Sequence, residues 1–198
     1  PGYPIYESQI NYQGGVALPY RYNQTENGFD IDLDYLARSI SAKTKVLILN
    51  NYQNPMSASS SKEELKALSK LILKHDLWVL SDDAYYEIRY SKDSPNSILN
   101  FPGMKQRTVI LYTFSKKYAM TGWRIGASIG PESLIKHMAR FNINDESCTN
   151  HFIQHALASV LNDSNDYGQE ILKKLIKRRN LCLKKLNSIA NLDISTPE

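Results

Sequence analysis

Three short, nearly uninterrupted apolar runs, KVLILN (residues 45–50), LWVLS (77–81) and TVILYT (108–113), constrain the fold more than anything else in the chain. Each is shorter than an ordinary helix and lacks the polar alternation of a half-exposed strand, so each reads as a strand buried on both faces. Between the first two runs, Leu65, Leu68 and Ile72 recur at helical spacing within residues 61–75, and Ser60 with Glu63 has the form of a capping box. Strand, amphipathic helix and strand make one βαβ crossover. The expectation is therefore an α/β fold, a three-layer α/β/α arrangement with a mainly parallel sheet. Residues 15–20 and 124–129 read as further strands. Residues 32–40, 132–141 and 151–161 read as shorter helices, and 167–186 as a long one with Ile171, Leu172, Leu175, Ile176, Leu183 and Leu186 along one side.

Composition narrows the functional classes. The formal charge is +4, and the only dense basic run, KKLIKRRN (173–180), alternates with apolar residues as a solvated helix face does. That argues against a nucleic-acid partner. No apolar run reaches the roughly 18 to 20 residues that cross a bilayer, so no membrane partner is expected. Cys148 and Cys182 lie far apart, without metal-ligand or CxxC spacing, which points to reduced structural thiols and no metal site. A cytoplasmic location follows from composition alone.

In open α/β sheets, ligands bind beyond the carboxyl ends of the strands. Here three of those ends are polar: KVLILN runs into NNYQNPMSAS (50–59), LWVLS into SDDAYYEIRY (81–90), and TVILYT into TFSKKYAMTGWRIG (113–126). Together they offer an amide, a carboxylate, a phenol, hydroxyls, an amine and a guanidinium to one crevice.

In order and spacing these clusters resemble the coenzyme site of class I/II aminotransferases, the fold-type-I enzymes that use pyridoxal 5′-phosphate (PLP). The resemblance extends over nearly the whole chain. In that family a lysine following a Ser-Phe-Ser-like stretch precedes an arginine by eight residues. Lys116 and Arg124 have that spacing, whereas Lys117 is only seven residues away. Lys116 is thus implied as the Schiff-base lysine. Lys117 would turn away as side chains alternate in extended chain, adding positive potential beside it. Arg124 would fork onto the coenzyme phosphate, helped by Thr113 and, less specifically, Ser115. Asp82 matches the carboxylate that pairs with the pyridine nitrogen, Tyr85 the phenol bonded to the ring's 3′ oxygen, and Asn54 the asparagine sharing that oxygen. Tyr3, in the opening PGYPIY, matches the aromatic residue that lies against the ring. The chain departs from the family pattern where Asp83 replaces Glu, Tyr52 replaces Pro, and Met56-Ser57 replace Thr-Gly.

The resemblance implies transfer of an amino group from an amino acid, aspartate or an aromatic one, to a 2-oxo acid by a homodimeric enzyme. It also implies a division into a PLP-binding large domain, residues 1–166 with its N-terminal part missing, and a connecting helix with the start of a small domain, 167–198. Family members are about twice this length, so these residues would be a central fragment with little turnover alone. The same apparatus supports lyases and decarboxylases and serves as the effector domain of some transcription regulators.

Overall fold

The structure, a computed structural model, describes residues 2–26 and 28–197. Its centre is a four-stranded sheet in the order β3 (Val46–Leu49), β4 (Trp78–Asp82), β5 (Thr108–Thr113) and β6 (Gly126–Ile129). The first three strands are parallel, as the apolar runs require, and β6 is antiparallel to β5 with Thr113 opposite Gly126. A Cβ on Gly126 would stand 2.8 Å from the Tyr112 carbonyl oxygen, so this close pairing needs glycine. The expected start of that strand at residue 124 is two residues early, because Arg124 takes a left-handed conformation, φ 51°, that leaves the ladder.

Helix α3 (Lys62–Lys74) joins β3 to β4 and buries Leu65, Leu68 and Ile72 completely. Its cap lies one residue later than the sequence suggests: Ser61 accepts the Glu64 amide at 3.0 Å. Ser60 is buried beneath, its amide donated to Asn51 Oδ1 at 3.0 Å. The Glu64 carboxylate also accepts the Ser61 amide, so the box is Ser61 with Glu64, and it accepts the Ile31 amide, which ties the neighbouring hairpin to the helix.

That hairpin, β1 (Tyr22–Thr25) paired antiparallel with β2 (Gly28–Ile31), is a sheet of its own. Residues 15–20 form no strand. Val16 and Leu18 are exposed there, and Pro19 has no amide to donate to a ladder. Helix α1 (Ile5–Tyr12) precedes this stretch and α2 (Leu33–Ser39) follows it, capped by Asp32 on the Tyr35 amide at 2.8 Å. After β5 come the one-turn helix α4 (Phe114–Lys117), then α5 (Glu132–Asp145), α6 (His151–Asn162) and the long α7 (Gly168–Leu186).

The pleat divides the sheet into two unlike faces. Register puts Leu47, Leu49, Val79, Thr108 and Ile110 on one face, all buried, with α3 packed over its β3 and β4 part. Farther along, Phe114, Ile125, Ile153 and Leu157 make a smaller cluster with Tyr112 and Ala127 between α4 and α6. On the other face Val46 is 52% and Trp78 40% exposed, Ile48, Leu80 and Leu111 are partly buried, and Val109 is buried. Among the described residues, no helix is long and apolar enough to cross a membrane.

Candidate active site

At the carboxyl ends of the strands, side-chain parity sorts the candidates. Asp82 follows Trp78 and Leu80 on the less covered face, in register with Leu111. Thr113 continues the same face from Val109 and Leu111. Asp83 points the opposite way, is buried, and accepts the Ser81 hydroxyl at 2.8 Å. Burial pushes its carboxyl up to about 6, against that donated hydrogen bond. Of two adjacent aspartates, one thus faces the open crevice and the other belongs to the interior.

Asp82 is held by two donors. Its Oδ1 accepts the Ala84 amide at 3.0 Å, and its Oδ2 accepts the hydroxyl of Tyr6 from α1. Tyr6 in turn meets Tyr3 edge to face, with centroids 5.7 Å apart and planes at 73°. In the turn after β4, the Tyr85 hydroxyl accepts Asn54 Nδ2 at 3.4 Å. Two groups expected at one oxygen of a ligand therefore already converge. The Lys116 Nζ lies 5.6 Å from the centre of the Tyr85 ring.

The two lysines part company, though not by the alternation of extended chain. Both sit in the single turn α4, where successive side chains diverge by about 100°. Lys117 pairs with Glu87 at 2.7 Å and Asp166 at 3.5 Å. Burial alone would lower its ammonium, but Glu87 and Asp166 outweigh it and hold the group above its ordinary range. Its charge is thus compensated, and the positive potential expected from it beside Lys116 is offset. Lys116 forms no ion pair among the described residues.

Thr113 caps α4 by accepting the Ser115 amide at 3.1 Å, which leaves its hydroxyl proton for another acceptor. Ser115 is buried; its carbonyl accepts the Thr121 hydroxyl at 3.3 Å. Arg124 is exposed, and its Nη1 donates to the Thr121 carbonyl at 2.9 Å. These two bonds link the segment of Arg124 to the backbone of Ser115 through Thr121. The Asn54–Pro55 peptide is cis, and Tyr52, in the family's proline position, is left-handed with its hydroxyl accepting the Asn96 amide at 3.1 Å.

Sequence reading missed Tyr6, Glu87 and Asn50. Glu87 accepts both Lys117 and the Tyr112 hydroxyl. The buried Asn50 Oδ1, at the end of β3, has no partner among the described residues. Only Asn50 carried a signal, its place at a strand end. Two half-open clefts, of about 650 and 280 Å³, are lined by other residues than the candidates.

The family model for class I and II aminotransferases matches residues 1–198. The chain belongs to that family, whose enzymes depend on PLP. Aromatic-amino-acid aminotransferase 2 of Thermococcus litoralis is 36% identical over 193 residues, covering 96% of this chain and 49% of that protein. The aspartate aminotransferase of Pyrococcus abyssi is 34% identical, with the same two coverages of 96% and 49%. The crystal structure of the aspartate aminotransferase from Rhizobium meliloti superposes with a TM-score of 0.92 at 32% identity, covering 100% of this chain and 50% of that one. The chain spans about half the length of these relatives.

The residues present fit the coenzyme. A carboxylate held by two donors keeps lone pairs for a ring N–H, a phenol and an amide meet at one point, and the amine nearest them is unpaired among the described residues.

Proposed function

We propose that the full-length protein is a PLP-dependent aminotransferase that moves an amino group from an amino acid, aspartate or an aromatic one, to a 2-oxo acid. The observation that carries this reading is the separation of the two lysines: Lys117 is bound by two carboxylates, while Lys116 stands beside the Tyr85–Asn54 pair. Family membership supports it, as do the donor names of the relatives.

When bound, PLP supplies an aldehyde and an electron-withdrawing pyridine ring. On this reading Lys116 Nζ is the amine that would hold the aldehyde end of the coenzyme, and it would move a proton at the substrate Cα. Asp82 would accept the ring N–H, a buried charge being tolerated when paired. Tyr85 and Asn54 would donate to the 3′ oxygen, Arg124, Thr113 and Ser115 would hold the phosphate, and Tyr3 would lie against the ring. The same reading takes residues 1–166 as large domain and 167–198 as the connecting helix and start of a small one. It makes the full-length assembly a homodimer, located in the cytoplasm.

Borohydride reduction of the full-length protein with PLP, followed by peptide mapping, tests this. Modification at Lys116 is expected, together with keto-acid formation only when an acceptor is present. Modification at Lys117, or at no lysine, would overturn it.

A further inference from the structure

Tyr6 is the least expected residue at this site. It comes from α1, 76 residues away from Asp82 in sequence, yet its hydroxyl donates to Asp82 Oδ2. Its ring is also the edge against which Tyr3 packs. One side chain thus touches both groups that the proposed function sets around the coenzyme ring, one at its nitrogen and one at its face.

Its ionisation suits the task. Burial first, and then the hydrogen bond and charge of Asp82, push the phenol well above its ordinary range, so it stays a donor at any pH at which the protein works. Asp82 has a second donor in the Ala84 amide, on the other oxygen. A carboxylate gripped at only one oxygen can still swing about its Cβ–Cγ bond. Gripped at both, it presents its remaining lone pairs in one direction.

We infer that Tyr6 is a positioning residue for Asp82: its hydroxyl orients the carboxylate toward the coenzyme's ring nitrogen, and its ring steadies Tyr3. The inference rests on the aminotransferase reading for what Asp82 meets, but the Tyr6–Asp82 contact itself does not.

The test uses the full-length protein in two parts. In the coenzyme-free protein, the Tyr6 hydroxyl proton should give a downfield-shifted NMR signal, absent in Tyr6→Phe and displaced in Asp82→Ala. In titrations with PLP followed by absorbance, Tyr6→Phe should weaken binding about tenfold, the worth of one hydrogen bond to a charged group. It should also shift the pH dependence of the bound coenzyme's spectrum. In an Asp82→Ala background the same substitution should cost nothing further. Affinity within about twofold of wild type, or an equal loss in the Asp82→Ala background, would overturn the inference, since a merely structural tyrosine would act with or without its carboxylate. If the wild-type protein takes up no coenzyme, the aminotransferase reading fails. The hydroxyl signal still decides the contact, and its persistence in Asp82→Ala would sink that too.

Discussion

The two faces of the central sheet differ in what they do. One is closed: Leu49 is 1% exposed, Leu65, Leu68 and Ile72 of α3 lie over it, and two of its polar members, Ser81 and Asp83, bond each other, while the buried Thr108 Oγ1 has no partner among the described residues. The other is open at its start, with Val46 52% exposed, and ends in the groups of the candidate site, Asp82 and Thr113. The same three strands therefore supply buried packing on one side and the groups of the candidate site on the other. Adjacent residues fall on opposite sides of this division, as Asp82 and Asp83 show. An exposed side chain at a strand end is free to meet a ligand; a buried one must satisfy itself within the protein.

The largest expected effect tests that asymmetry directly. Leu49→Ala should destabilise the full-length protein by about 4 kcal/mol, because the side chain is enclosed and its removal leaves a cavity. Val46→Ala, three residues earlier on the other face, should cost no more than about 0.5 kcal/mol. Urea unfolding of the two variants measures both. A cost at Val46 approaching that at Leu49 would show that the second face is as closed as the first, and the comparison would fail.

Much of this was legible in the sequence because the strands and α3 carry strong, redundant patterns. KVLILN, LWVLS and TVILYT do form strands, although Val46 and Trp78 are exposed where burial on both faces is expected, and Leu65, Leu68 and Ile72 define a helix face without help. The candidates Asn54, Tyr85, Lys116 and Arg124 came from the family resemblance, within which the spacing to Arg124 chose Lys116 over Lys117. What spacing could not give was partnership over distance. Tyr6 looks like any tyrosine in a Pro/Tyr-rich stretch, and nothing local announces a contact with Asp82. Glu87 likewise sits in a turn with no signal of the lysine thirty residues on. The hairpin from Tyr22 to Ile31 was overlooked because its alternation is short and polar, although Gly28, at φ 133°, has the backbone freedom that such a reversal needs. Residues 15–20 form no strand, for Val16 and Leu18 have no core to meet and Pro19 has no amide for a ladder.

A second effect, of about 3 kcal/mol, concerns the buried aspartate. Burial raises Asp83 from its ordinary value near 3.8 to about 6, so between these values the folded protein holds a proton that the unfolded chain has released. Stability from this group is therefore greatest below about pH 4, falls as the pH rises to about 6, and is level above. Asp83→Asn keeps an acceptor for Ser81 and removes the ionisation. Across that window the wild type should lose about 3 kcal/mol relative to the variant in denaturant melts. Parallel curves would mean that Asp83 is solvated, and the division between the adjacent aspartates would disappear.

The smallest effect lies at the rim, where the faces meet in the lysine pair. Glu87 holds Lys117 at 2.7 Å and accepts the Tyr112 hydroxyl, while Asp166 stands 3.5 Å away as a second anion. Because the pair is partly exposed and Asp166 remains, Glu87→Gln should cost less than about 1 kcal/mol, and the cost should shrink in high salt. Its PLP affinity should stay within about twofold of wild type, in contrast to the tenfold loss expected for Tyr6→Phe. The reason is directional: Glu87 anchors the lysine that turns away from Tyr85, and Tyr6 anchors the carboxylate that shares its face of the sheet with Thr113. An equal loss of affinity in the two variants would mean that Lys117 and Lys116 act as one charged unit, and that a single turn of helix does not separate structure from chemistry here.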